Sequence, residues 1–100
     1  MKILQANKKH LDDLAPLFNG YRIFYKQESN LKVARDFLKE RLTKQDSVIF
    51  MAYIDNVAVG FTQLYMLYSS VTMQPMYVLN DLFIDTNYRN KNIGTALIHK

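Results

Sequence analysis

Leu11, Leu14, Leu17 and Phe18 recur at helical spacing, and Tyr21, Phe24 and Tyr25 carry that apolar face onward. Asp12 and Asp13 fall in the first turn, where the helix dipole favours acids. Pro16 comes early enough to be tolerated, and Gly20 can loosen the end. Lys26 to Asn30 then reads as a polar loop, with Ser29 or Asn30 as the next N-cap. Leu31, Ala34, Leu38 and Leu42, with Phe37, mark a second amphipathic helix. Its outer face carries Lys32, Arg35, Asp36, Lys39 and Glu40. Ahead of both helices, Met1 to Gln5 reads as a short strand.

The period then changes. Ser47 to Ile54 is rich in β-branched and aromatic residues, and Asp55-Asn56 suits a two-residue hairpin turn. Val57 to Ser69 returns as a longer strand, with Gly60 inside it at a site suited to a bulge. Ser69 to Pro75 connects to a third long strand, Met76 to Ile84, after which a turn leads into a final helix. The predicted order is β-α-α-β-β-β-α. It defines an α/β fold with a mixed sheet, in one domain over residues 1–100, with no repeat or linker.

Composition narrows the function classes. Nearly half the residues are apolar and 13 are aromatic, enough for a core. A chain of this size buries roughly two-thirds of its unfolded surface. There is no cysteine, which excludes disulfides and cysteine-based metal sites. His10 and His99 read as surface residues, with no nucleophile dyad or metal site around them, and the five Met residues read as core filler. No apolar run is long enough to span a membrane and the start lacks a secretory segment, so a soluble cytoplasmic protein is expected. The net charge is +4, with ten of the 13 basic residues in positions 1–46. They lie along two solvated helix faces. A nucleic-acid site would gather them on one face among stacking aromatics, and none is expected.

The most informative segment is Asn80 to Ile98. An apolar strand ends in Leu82-Phe83-Ile84; a turn rich in Asn and basic residues follows, with Arg89 to Thr95 read as a loop; and Gly94 opens a helix. Backbone N–H groups at such a helix start face outward and attract an anion, and Arg89 and Lys91 add positive charge. The alternative is an ordinary strand–turn–helix connection capped by Asn.

This turn, in this element order, resembles the first two-thirds of the GNAT family of acyl-CoA-dependent N-acetyltransferases. The family's acetyl-CoA motif reads Arg/Gln-x-x-Gly-x-Gly/Ala after an apolar strand. Arg89-Asn90-Lys91-Asn92-Ile93-Gly94 fits it with Asn92 in place of the first Gly, flanked by Leu82-Phe83-Ile84, Tyr88 and Thr95-Ala96-Leu97-Ile98. Gly suits a phosphate loop because it permits positive φ and close backbone approach, and Asn is the next most tolerant residue. The resemblance implies acetyl-CoA as co-substrate and an amine as acceptor. It implies that Arg89, Asn90, Lys91, Asn92, Ile93, Gly94 and Thr95 cradle the pyrophosphate. It also implies that the backbones of Leu82, Phe83 and Ile84 pair with the pantetheine arm as an added strand would.

Asp81 is an acid in a strand otherwise free of charge. A carboxylate near the acetyl group could take the acceptor's proton, directly or through water, or hold a cationic substrate. It could equally be a strand-end acid hydrogen-bonded to backbone or solvent. The strand is similar to that of spermidine/spermine-type acetyltransferases, where two acids stand together; here the first is Asn80. In this family the loop between the first two helices forms one wall of the acceptor pocket. The resemblance therefore makes Tyr25, Glu28 and Asn80 candidate substrate contacts. Core packing is the plainer reading of Tyr21 and Tyr25, and solvent exposure that of Glu28.

A domain of this family continues past the final helix, with a further strand that opens the coenzyme gap and a tyrosine that protonates the departing thiolate. The expectation is an N-acetyltransferase represented by an incomplete domain, with the coenzyme motif at 82–95. The third long strand would then leave residues 76–84 as an apolar edge open to homo-oligomer pairing. A second possibility, from a different class, is a small α/β module that binds coenzyme A without catalysis or pairs through that edge.

Overall fold

The computed structural model describes residues 1–89 and 92–99. Strand β1 spans Lys2–Gln5, helix α1 Leu11–Phe24, helix α2 Leu31–Lys44, β2 Ser47–Ile54, β3 Val57–Tyr68, β4 Pro75–Ile84 and helix α3 Ile93–Ile98. Single 3-10 turns occupy Lys8–His10 and Thr86–Tyr88. The strands form one sheet in the order β1-β2-β3-β4, each pair antiparallel. The element order and the mixed α/β class are those read from the sequence. Among the described residues no helix is long and apolar enough to cross a membrane.

Side chains alternate across a strand, so the two faces of the sheet carry different partners. Ile49, Met51 and Phe61 face α1 and α2, where they bury Leu14, Leu17, Phe18, Ala34 and Leu38. Ala52 and Val59 face the other way and pack on Ile93 and Leu97 of α3. That burial is what keeps a six-residue helix folded, since helices so short are marginal alone. Helix α1 runs unbroken through Pro16 and Gly20 to Phe24. Asn30 is the N-cap of α2 and accepts from the Val33 N–H at 3.1 Å. Asn19 of α1 accepts from the Asn30 N–H at 3.0 Å and so ties the two helices at their junction. The methionines depart from expectation: only Met51 is core, whereas Met1, Met66, Met73 and Met76 are exposed. Three of these four lie on the far end of the β3–β4 hairpin.

Asp55 and Asn56 both take positive φ, 50° and 65°, as a primed two-residue turn requires. Gly60 sits at the bulge read from the sequence. Ala52 pairs with Gly60 but Tyr53 with Ala58, which leaves Val59 as the extra residue. A Cβ at Gly60 would stand 2.6 Å from Ile84 Cδ1 and 3.0 Å from the Phe83 carbonyl oxygen. A second bulge was not read from the sequence: Gln63 pairs with Asp81 but Leu64 with Leu79, so Asn80 is the extra residue on β4. Bulges bend and twist the bulged strand, and this one lies next to the acid singled out above.

Candidate active site

The turn after β4 is held by its own backbone and by one side chain. The Asp85 N–H donates to Val59 O at 2.8 Å, and the Asp85 carboxylate accepts from the Asn87 N–H at 2.9 Å. Tyr88 N–H returns to Asp85 O at 2.9 Å. Asn90 and Lys91, both expected in the coenzyme loop, lie outside the described residues. Asn92 then takes the left-handed conformation, φ 60° and ψ 22°, and α3 begins at Ile93. The conformational demand therefore falls on Asn92. Gly94 has no positive φ, and an added Cβ would meet only Leu82 Cδ2 at 3.9 Å. The reading of Arg89 to Thr95 as a loop, with Gly94 opening the helix, is corrected: α3 already begins at Ile93, and nothing in the protein's own packing requires glycine at 94.

The first helical hydrogen bond of α3 runs from Ala96 N–H to Asn92 O at 3.1 Å, and the Asn92 side chain makes no capping bond. The N–H groups of Ile93, Gly94 and Thr95 thus precede the helical ladder. Ile84, Tyr88, Arg89, Asn92, Ile93, Gly94 and Thr95 line one open cavity of about 240 Å³. Six of the sequence-predicted coenzyme residues come together there. Leu82 and Phe83 diverge, Leu82 packing on the α3 face and Phe83 on the α1 face. Since Asp85 N–H turns in toward β3, the carbonyl of the same peptide, Ile84 C=O, points to the outer edge of β4. Arg89 Nε donates to that oxygen at 3.1 Å. Its guanidinium lies 5.1 Å from the centre of the Phe24 ring and 5.7 Å from that of Phe83.

Asp81 is 6% exposed and stands on the face covered by α1. Its Oδ2 accepts from Gln63 Nε2 at 3.0 Å and its Oδ1 from Asn80 Nδ2 at 3.0 Å. The Tyr21 hydroxyl also donates to this carboxylate. Burial, and then that hydrogen bond, push the Tyr21 hydroxyl well above the ordinary tyrosine range, so it stays a neutral donor. Burial and the charge of Asp81 raise Tyr65 in the same sense. Gln63 is itself fully buried and accepts from Ser47 Oγ at 2.9 Å, and Thr62 Oγ1 donates to the Asp81 carbonyl at 2.8 Å. A carboxylate offers about four lone-pair sites, of which these three side-chain donors occupy three.

Of the acceptor-side candidates, Asn80 contacts Asp81 directly and Tyr25 reaches it through Tyr21, ring edge to ring face at 5.1 Å. Tyr25 is exposed on its other side. Glu28 is exposed on the loop beyond Tyr25, and no described contact joins it to the cluster. Gln63 and Ser47 were missed. The available signal was the pair Thr62-Gln63, two polar side chains in the middle of an uncharged, mostly apolar strand. Among the described residues no group of three His, Cys, Asp or Glu is placed to hold a metal.

Residues 11–100 match the acetyltransferase (GNAT) family, and the chain belongs to it. It is 47% identical over 98 residues to a Bacillus subtilis (strain 168) protein described as the uncharacterized N-acetyltransferase YhfO, covering 98% of this chain and 66% of the relative. A crystal structure of a probable acetyltransferase superposes with a TM-score of 0.94 at 39% identity, over 99% of this chain and 67% of that one. An aminoglycoside N-acetyltransferase, AAC(6')-Iy, in complex with CoA shares the fold with a TM-score of 0.81 at 23% identity, over 98% of this chain and 64% of that one. The chain thus spans about two thirds of the length of the relatives it matches.

Proposed function

We propose that the protein is an N-acetyltransferase that moves an acetyl group from acetyl-CoA to a primary amine of a small molecule or peptide. The observation that carries this reading is the cavity at the end of β4, where the N–H groups of Ile93, Gly94 and Thr95, without a backbone acceptor among the described residues, meet the outward backbone of Ile84. Its chemistry fits the group: converging N–H donors and a nearby Gly94 without a side chain suit a pyrophosphate. Ile84, Arg89, Asn90, Lys91, Asn92, Ile93, Gly94 and Thr95 would surround the phosphates, with the backbones of Leu82, Phe83 and Ile84 along the pantetheine arm. Residues 1–100 would then be the N-terminal two-thirds of one such domain.

Acetyl-CoA supplies an activated thioester. In this reading the acceptor nitrogen bonds to the acetyl carbon as the carbon–sulfur bond breaks, with no acyl-enzyme. Outward N–H groups of β4 polarise the carbonyl. The nitrogen sheds a proton, and the departing thiolate gains one, so protons balance. Asp81 takes the nitrogen's proton through its fourth lone-pair site, directly or through water. Tyr25, Glu28 and Asn80 form the acceptor wall, and a soluble cytoplasmic setting suits both substrates. Calorimetric titration with acetyl-CoA tests the reading first. Micromolar binding lost at high salt supports it, and no binding by the intact protein would refute it.

One observation favours a second reading. The far end of the β3–β4 hairpin exposes Leu67, Tyr68, Val71, Met73, Met76, Tyr77 and Leu79, and residues 56–80 carry no charge. Apolar exposure of this extent marks interaction surfaces. The alternative is a non-catalytic coenzyme A-binding or interaction module. It is preferred if coenzyme A binds but no amine is acetylated.

A further inference from the structure

Arg89 opens the coenzyme motif, and simple electrostatics sends its charge to a phosphate. Its side chain instead folds back. Nε donates to Ile84 O at 3.1 Å, and the guanidinium lies against two rings at once, Phe24 at 5.1 Å and Phe83 at 5.7 Å. The rings also contact each other, with centres 6.5 Å apart at 60°. Phe83 belongs to β4 and is packed into the α1 core, so it is a fixed anchor. Phe24 is different. It is the last residue of α1, more than half exposed, and its ring meets that of Tyr25 at 5.4 Å. Tyr25 begins the loop to α2, which carries Glu28. Arg89 therefore touches both halves of the site at once: its backbone belongs to the loop after β4, and its side chain ends on the residue from which the Tyr25–Asn30 loop departs.

We propose that Arg89 is a positioning residue, a clamp through Phe24 that couples the coenzyme loop to the loop between α1 and α2. The inference rests on the coenzyme reading above. It separates two roles for one cation. A phosphate ligand acts through charge, which Lys retains. A clamp acts through a planar guanidinium that stacks on rings while Nε is directed at a carbonyl, and Lys supplies neither. In the clamp, Phe24 affects coenzyme binding although it does not line the coenzyme cavity. Coenzyme binding, in turn, orders the loop that Phe24 leads into, because coupling between two sites is reciprocal.

The experiment uses coenzyme A as the probe, with Arg89→Lys, Phe24→Leu and the double variant of the intact protein. Phe24→Leu keeps an apolar side chain at an exposed helix end and removes only the ring face, so the fold is retained. Phe37→Leu is the control: it removes the ring under Arg41, 5.2 Å away on α2, and is remote from the β4 turn. A cation–ring contact at a partly exposed site corresponds to about two- to fivefold in affinity. The expected result is that Arg89→Lys and Phe24→Leu each weaken coenzyme A binding by about that factor. The double variant should be no weaker than the worse single, and Phe37→Leu should match wild type. Hydrogen exchange of the Tyr25–Asn30 amides should slow on coenzyme A addition in wild type and not in Phe24→Leu. If Phe24→Leu binds like wild type, or the two single effects simply multiply, the clamp is wrong. If wild type itself does not bind coenzyme A, the failure lies in the proposed function.

Discussion

Gln63 and Asp81 stand directly opposite each other on β3 and β4, and the Gln63 amide donates to the Asp81 carboxylate at 3.0 Å in a fully buried position. One residue further along, the register breaks, and the extra residue, Asn80, donates to the other carboxylate oxygen. The acid is thus held from both sides at the point where β4 bends. The same arrangement that orients a proton acceptor would also fasten the bulge.

Two variants separate these roles. Asp81→Asn should lower acetyl transfer by about a hundredfold, the low end of general-base effects, most strongly at lower pH, where the amine is protonated. It should leave acetyl-CoA affinity nearly unchanged. Gln63→Leu leaves the buried carboxylate short of a donor and should cost about 1–3 kcal/mol of stability. Steady-state rates across pH and denaturant unfolding check both. Wild-type rates for Asp81→Asn would reduce Asp81 to a fastener of the bulge.

Gly60 inside β3 and Gly94 in the first turn of α3 should respond oppositely. Gly60→Ala forces a Cβ against Ile84 Cδ1 and the Phe83 carbonyl and should destabilise by roughly 1–3 kcal/mol. Gly94→Val has room for its Cβ and places a slightly better helix former in α3, so stability should change little, but the variant should sharply weaken acetyl-CoA binding. That loss should exceed the effect of Lys91→Ala, which removes one screened charge. Thermal unfolding beside calorimetric titration reads both. Equal acetyl-CoA affinity in Gly94→Val and wild type would remove the phosphates from this loop.

Asn92 carries the positive φ of the turn. Asn92→Gly should be tolerated, whereas Asn92→Ala should cost roughly 1–2 kcal/mol, since Ala pays the full left-handed penalty without a local polar compensation. Equilibrium unfolding of the two variants decides, and equal stability would contradict the assigned backbone.

Tyr53 donates to Asp13 Oδ2 at 2.8 Å and is pushed up to about 12, first by burial and then by that hydrogen bond. Its folded pKa lies above the unfolded value, so the protonated form is the one that folding favours. The contribution should be present in full below about pH 10 and be lost as pH rises from there through 12. The stability difference between wild type and Tyr53→Phe should shrink over that window. A difference constant from pH 8 to 12 would count against the hydrogen bond.

The uncharged hairpin should drive self-association of the 100-residue chain, by pairing along residues 76–84. Sedimentation should show dimers or larger species, and Leu79→Lys, on the exposed stretch of β4, should shift the distribution toward monomer. A monomer at high concentration for both would exclude homo-oligomer pairing through this edge.

The sequence by itself determined the elements, because each rests on a local signal: the helical spacing of Leu14, Leu17 and Phe18, the Asn30 cap, the Asp55-Asn56 turn and the apolar run that ends at Ile84. It also placed the bulge at Gly60, since a glycine inside a strand has few other uses. Tertiary structure decided what depends on register and on which face a side chain takes. Only the pairing of Gln63 with Asp81 revealed the second bulge and the buried network. Only the approach of α1 to β4 sent Arg89 to Phe24. Asn92 takes the left-handed conformation that its residue type tolerates, and the structure decided that α3 starts one residue after it, which leaves Gly94 inside the helix. Polar contacts between residues 18 apart, such as Gln63 and Asp81, leave no periodic trace in the chain. They come into existence only when a bulge sets the register.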